Sequence, residues 1–181
     1  MIKPGQIVQI PSDSSIFEDE VSALDSKKEV LTKTVEVRNY GLFDGFLVGE
    51  HQGTENFKLG QRKGINVGGK KAPLYVIGIN HATNQLFVGE GEQHPGLWTK
   101  VIKVNQFPLE QLTNHSTKED LEQGMKVSIH STLTDKEVSA NLYQFEEAVY
   151  LEFDNIVPIT IQDHPFEIRF EDHYKATIKI N

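Results

Sequence analysis

Hydrophobic and polar positions alternate in short runs along most of the chain. Residues 6–10 alternate, residues 46–48 are a short apolar run, and residues 74–79 and 85–89 are rich in β-formers. The last two flank Asn80-His81-Ala82-Thr83-Asn84, a polar stretch that predicts a hairpin loop. Residues 101–104 continue the pattern, followed after Pro108 by runs at 126–133, 138–143, 149–153, 166–170 and 176–180. Ile168/Phe170 and Ile178/Ile180 stand two residues apart, which places each pair on one side of a strand. Closely spaced strands with polar turns predict a mainly β fold, a small barrel or sandwich rather than layered α/β. Helical signals are few and make only the N-terminal part α+β. Ser14 or Ser15 caps a predicted helix to about Lys28, with Phe17, Val21 and Leu24 on one face. Residues 30–37 read as a strand, and residues 117–121 as a turn of helix ended by Gly124. Pro108 and the polar Thr113-Asn114-His115-Ser116 break the rhythm between residues 105 and 116, which predicts a boundary there.

Composition narrows the chemistry. The chain has 181 residues, enough for one substantial domain or two small ones, and no cysteine. That removes thiolate nucleophiles, Cys-ligated zinc, iron–sulfur clusters and disulfide frameworks. No apolar run approaches the roughly 20 residues of a membrane span, so a soluble, cytoplasmic protein is the expectation. The net charge of −8 opposes a general polyanion binder, but it is unevenly distributed. Residues 106–181 hold fourteen acids against six bases, whereas residues 41–105 hold seven bases against five acids. Lys58, Arg62, Lys63, Lys70 and Lys71 follow one another with no acid between them.

Three constellations deserve comparison. Gly64-Ile65-Asn66-Val67-Gly68-Gly69-Lys70-Lys71 nearly spells a phosphate-binding P-loop, but Lys71 stands where a hydroxyl must hold magnesium, and Ala72-Pro73 leads into a strand rather than a helix. Glu90, Glu92 and His94 would share one face of an extended strand and could ligate a divalent metal, yet no fourth ligand completes the set by spacing. The expectation is therefore no metal and no cofactor. The remaining histidines are scattered, and the pairs Glu50-His51 and Asp163-His164 point to opposite faces of a strand. The third constellation, residues 51–71, combines cations with glycines that allow close backbone approach, as phosphate recognition requires. Phe57, Tyr75 and Trp98 are candidate stacking faces.

Read in order, Gly49-Glu50-His51-Gln52-Gly53, Leu59-Gly60-Gln61-Arg62-Lys63-Gly64-Ile65, Gly68-Gly69, Leu74-Tyr75-Val76-Ile77-Gly78, Leu86-Phe87-Val88-Gly89-Glu90-Gly91 and His94-Pro95 resemble the region after the catalytic domain of bacterial tRNA-specific 2-thiouridylases. The resemblance implies a small central domain over residues 1–105, interrupted by an insertion at about 12–44. It also implies a C-terminal antiparallel β-barrel of the elongation-factor type over 106–181, with the first barrel strands beginning near residue 74. The family's ATP-pyrophosphatase domain, its Ser-Gly-Gly-Val-Asp-Ser phosphate loop and its paired cysteines find no counterpart in these residues, which implies a non-catalytic relative.

On this resemblance, the expected role is binding tRNA or serving as accessory subunit to a separate tRNA-modifying catalytic subunit, without a membrane. Arg62 and Lys63 are then expected phosphate contacts, Gln61 and His51 organising or hydrogen-bonding residues, and Lys58, Lys70 and Lys71 an extension of the positive surface. Gly60, Gly64, Gly68 and Gly69 would permit the loop conformation. The acidic C-terminal segment supports a second expectation, a protein-interaction or regulatory module that no longer binds RNA.

Overall fold

The alternating run at residues 6–10 forms strand β1 (Gly5–Gln9), in which the neighbours Ile7 and Val8 are both fully buried, one on each face. The computed structural model describes residues 4–18, 25–105, 107–112, 116–134, 136–170 and 177–180. The chain divides into two compact units, Met1–Ala23 with Glu36–Trp98, and Leu24–Val35 with Thr99–Asn181.

The first unit is built on a four-stranded mixed sheet. Its order is β2 (Phe46–His51), β1, β4 (Gln85–Glu90), β3 (Leu74–Asn80). β1 runs antiparallel to β2 and parallel to β4, while β3 and β4 form the expected antiparallel hairpin. Both faces of the sheet are buried, which explains why the central strands carry apolar residues consecutively rather than alternately. Ile7, Leu74, Val76, Leu86 and Val88 line one face and are covered by Phe57, Leu59, Ile65 and Val67. Val8, Ile77 and Phe87 line the other, under Ile10, Ile16, Phe17, Tyr40 and Leu42. Each cover is irregular chain.

The second unit is a six-stranded antiparallel sheet curled into a half-barrel. Its strands are β5 (Trp98–Val104), β6 (Met125–Ser131), β7 (Val138–Phe145), β8 (Ala148–Pro158), β9 (Phe166–Phe170) and β10 (Thr177–Ile180), in the order β10-β9-β6-β7-β8-β5. The concave face gathers Ile102, Val127, Ile129, Leu142, Leu151, Phe153 and Ile168 around Leu121 of helix α3 (Lys118–Gln123). A short helix α2 (Leu109–Leu112) precedes it. Thr117 and Asp120 close a capping box at the start of α3, and Gly124 ends it at φ 96°, as the sequence suggests. The fold is mainly β, as expected. The six-stranded sheet begins at Trp98.

One element departs from the sequence reading. Residues 30–37, expected as a strand, lie in helix α1 (Lys27–Glu36) except for Val37. The helix docks Leu31 and Val35, four residues apart, onto Val101, Tyr143 and Tyr150 on the outer face of the half-barrel. From Ser14 the structure shows only a 3₁₀ turn at Ser15–Phe17, and residues 19–24 of the expected helix lie outside the described residues. So do Thr113, Asn114 and His115 of the expected boundary and Ala176 of the last strand.

Candidate nucleic-acid interface

The basic stretch is the cover of one face of the four-stranded sheet, and its composition follows from that position. Phe57, Leu59, Ile65 and Val67 turn inward and pack on the sheet, while Lys58, Arg62, Lys63 and Lys71 are exposed and Lys70 is half-exposed. Backbone bonds tie the loop to β3: Gly60 N donates to Val76 O at 2.8 Å, and Val76 N donates to Gln61 O at 2.9 Å. Gly60 (φ 74°), Gly64 (φ 85°) and Gly69 (φ 74°) adopt left-handed conformations that strain other residues. Gly68 does not, and a Cβ there would meet nothing within 4 Å, so the loop path does not require it.

Gln61 and Glu90 hold this loop from inside and from its end. The Gln61 side chain accepts from Lys58 N at 3.0 Å and donates to Lys63 O at 2.9 Å and Asn56 O at 3.4 Å, crossing the turn that presents Arg62. Glu90 Oε1 accepts from the amides of Lys71 and Ala72, both at 2.8 Å, and Oε2 accepts from Gln9 Nε2 at 3.1 Å. Those bonds, that of Ala72 foremost, hold its carboxyl below the usual glutamate range, with Lys70 adding attraction. Among the described residues, none of Lys58, Arg62, Lys63, Lys70 and Lys71 forms an ion pair within 4 Å. The result is a backbone-anchored loop with its positive charges turned outward.

His51 occupies a different place. It ends β2 with 4% exposure, its Nδ1 accepts from Gly53 N at 3.1 Å, and its ring meets the edge of Phe57 at 5.5 Å. A Cβ on Gly5 would lie 2.3 Å from that ring, so His51 packs beneath the sheet's end rather than on the cationic surface. The stacking candidates are also engaged. Phe57 faces the core, the Tyr75 hydroxyl donates to Glu92 at 3.1 Å, and Trp98 Nε1 donates to Glu92 O at 3.3 Å. Burial first, and then Glu92, raise the Tyr75 pKa, while Arg62 is near enough to pull against them.

The structure takes the Glu90, Glu92, His94 constellation apart. Glu90 staples the loop, Glu92 meets Tyr75, and His94 is buried, its Nδ1 accepting from Gly96 N at 3.1 Å. That bond assigns the ring proton to Nε2, which donates to Ile10 O at 3.0 Å. Burial lowers its pKa and favours this neutral form. No group of three His, Asp or Glu side chains among the described residues is arranged to hold a metal ion. The P-loop reading fails for the reason its sequence suggested, since residues 64–71 lead through Ala72-Pro73 into β3 and open no helix.

Residues 28–90 match the family described as the tRNA methyl transferase PRC-barrel domain. Over 156 residues the chain is 35% identical to the tRNA-specific 2-thiouridylase MnmA of Flavobacterium johnsoniae, covering 84% of this chain and 38% of that protein. The MnmA of Christiangramia forsetii is 32% identical over 155 residues, with the same two shares of 84% and 38%. This chain belongs to the tRNA-specific 2-thiouridylase family. It corresponds to the family's central and C-terminal region and spans well under half the length of those relatives. The MnmA of Halalkalibacterium halodurans is 46% identical over 65 residues, 34% of this chain and 18% of its own. Of the residues in the Gly-Glu-His, Gly-Gln-Arg and His-Pro segments, Gly49, His51, Gly60, Gln61 and His94 serve the packing and hydrogen bonding of the four-stranded sheet and its cover. Among the described residues, no helix is long and apolar enough to cross a membrane.

Proposed function

We propose that this chain holds tRNA for a modification reaction whose chemistry is supplied by a catalytic segment or subunit outside the residues present here. Arg62 and Lys63 contact phosphates, Lys58, Lys70 and Lys71 widen the positive surface, and Gln61 fixes the turn between them. One observation carries this reading: five cations project from a loop anchored at Val76 and Glu90, and none is neutralised by an ion pair among the described residues. Pre-fixed cations of this kind bind a phosphate backbone with little ordering cost and with strong salt dependence. The family names of its relatives supply the RNA class.

The test is a filter-binding titration of total tRNA at low and physiological salt. Affinity should fall steeply with salt, and Arg62→Ala with Lys63→Ala should weaken binding about tenfold or more while lowering the salt slope by about two. Undetectable or salt-independent binding overturns the reading. A second reading, a protein-docking module, draws on the first unit's edge strand, where Phe46 and Leu47 are 66% and 59% exposed and Phe43 of the preceding turn is 98% exposed. Stable co-purification of a protein from nuclease-treated extract, lost in Phe43→Ser with Phe46→Ser, would favour it.

A further inference from the structure

The first unit contains a half-buried cation that no acid among the described residues neutralises. Arg38 follows helix α1, and its guanidinium is largely withdrawn from water. Its Nη1 donates to Gly96 O at 3.4 Å and its Nη2 to Trp98 O, both main-chain carbonyls, and among the described residues no carboxylate lies within 4 Å of it. Its Nε and the hydroxyl of Tyr40, itself 4% exposed, are both sealed from solvent, and the two side chains act on each other, a neutral phenol rather than an acid facing the guanidinium. Buried guanidinium groups are ordinarily matched by an acid, because carbonyl dipoles offset only part of the lost hydration. Asp44 acts on Tyr40 from a distance, but its Oδ2 accepts from Gly41 N at 2.6 Å.

Beside this cation lies a cavity of about 340 Å³, lined by Arg38, Asn39 and Tyr40 from one segment, by Gly78, Ile79 and Asn80 of β3 and Phe87 of β4, and by His81 of the turn between them, whose Nδ1 lies 2.9 Å from Thr54 Oγ1. That volume is at the small end of the range for metabolite sites. The Tyr40 ring packs over Gly78, where a Cβ would approach it to 2.7 Å, so the missing side chain leaves room for the ring. Tyr40 and Phe87 belong to the core on the opposite side of the sheet from the one the basic loop covers. None of the five cations of that loop lines the cavity, and the inference does not rest on the RNA reading.

We infer that this cavity is a binding site for a phosphate group, with Arg38 supplying the charge and Asn39 and Asn80 further polar contacts. Two of the guanidinium's arms are already turned to carbonyls, so the flat fork that suits a carboxylate is not free. The tetrahedral oxygens of a phosphate accept donors from separate directions and fit the second hydrogens of Nη1 and Nη2, the Nε–H being sealed. A small phosphate ester and a phosphate of an RNA backbone present the same chemistry, and the experiment separates them.

The full chain, labelled with ¹⁵N, is titrated with inorganic phosphate, with ribose 5-phosphate, and with a short oligoribonucleotide lacking terminal phosphates. Saturable shifts of the Gly78 and Asn80 amides are expected, about tenfold weaker in Arg38→Gln. If that variant unfolds, Asn39→Asp places an acid on the cavity wall at an exposed position and should weaken binding comparably. Response to the two small phosphates supports a metabolite site, and response at these amides to the oligonucleotide alone supports a backbone phosphate. Shifts confined to residues 58–71, shifts undiminished in both variants, or no saturable shift overturn the inference. Shifts confined to that loop and lost in Arg62→Ala with Lys63→Ala would leave the RNA reading standing alone.

Discussion

The two units of this chain treat positive charge in opposite ways. In the half-barrel unit, Lys27 meets Glu152 at 2.7 Å, Lys28 meets Glu146 at 2.7 Å, Lys126 meets Asp154 at 2.7 Å, and Arg169 meets Glu137 and Glu167. In the mixed-sheet unit, the five cations of the 58–71 loop have no such partners among the described residues, and Arg38 meets two main-chain carbonyls and Tyr40 but no acid within 4 Å. The covering of the sheets differs in parallel. The half-barrel encloses its own core and receives a helix on its outer face, whereas both faces of the mixed sheet are closed by irregular chain. Regular elements satisfy their own backbone and leave side chains to pair with one another. Irregular cover exposes backbone and glycine, and its unpaired cations are the ones available to a ligand.

The strongest way to break this contrast is through α1, all but the last residue of which joins the half-barrel unit, although the chain from Glu36 to Trp98 belongs to the other. Leu31 is fully buried among Val101, Tyr143 and Tyr150. Leu31→Ala should cost about 3 kcal/mol in urea unfolding, the ordinary range for such a truncation. Amide exchange should accelerate in β7 and β8. Unchanged protection there would mean that the helix is not part of that unit's core.

A crossed comparison of charge comes next. Arg62→Ala with Lys63→Ala should weaken tRNA binding about tenfold or more and leave stability within about 0.5 kcal/mol. Lys126→Ala with Arg169→Ala should do the reverse, costing up to about 1 kcal/mol per pair, as exposed ion pairs do, with little change in RNA affinity. Equal loss of RNA affinity in both variants would show that binding follows net charge rather than the loop.

The units should also part company on mild acidification. His94 is held neutral by burial, between Ile10 O and Gly96 N, with its pKa lowered from 6.5. The unfolded chain takes up a proton near that ordinary value while the folded unit resists it, so stability is lost as pH falls from about 6.5 through the folded pKa. Thermal unfolding followed between pH 7 and pH 5 should show the mixed-sheet unit weakening, and His94→Gln should flatten that slope. An unaltered slope in the variant would assign the effect elsewhere.

Much of the strand pattern was legible because period two and turn residues are local signals. Residues 166–170 form β9 with the expected bounds, and residues 74–79 and 85–89 form β3 and β4 within a residue. The misreading of α1 has a physical cause. Val30, Thr32, Thr34, Val35 and Val37 favour extended chain, but β-branching costs a helix only about half a kcal/mol per residue. Burial of Leu31 and Val35 outweighs that, and a local signal was available: Ser26 and Glu29 form a capping box, with Glu29 Oε2 accepting from Ser26 N at 2.7 Å and Ser26 Oγ accepting from Glu29 N at 3.3 Å. At the site, the cations stood out as a run without acids. The role of Glu90 did not, because its partners Gln9 and Lys71 lie 81 and 19 residues away. Nor did the cavity at Arg38, whose carbonyl partners are 58 and 60 residues along the chain.

Glu90 offers the finest test of whether the basic loop is held rather than merely tethered. Its carboxylate accepts the Lys71 and Ala72 amides, and those bonds lower its pKa from 4.5. A carboxyl with a depressed folded pKa stabilises its contacts above the ordinary value, and that stabilisation is lost as pH falls through the folded pKa. Protection of the Lys71 and Ala72 amides from exchange should therefore decline below about pH 4.5, while Gly60, bonded to Val76 O, keeps its protection. Glu90→Gln retains an acceptor but not the charge, so protection at both amides should be lower near neutral pH and no longer follow the carboxyl's titration. In the same variant, tRNA affinity should fall only a few-fold, since the cations remain and only the end of their platform is loosened. A loss as large as that of Arg62→Ala with Lys63→Ala would mean that binding depends mainly on Lys70 and Lys71, and would move the centre of the interface along the loop.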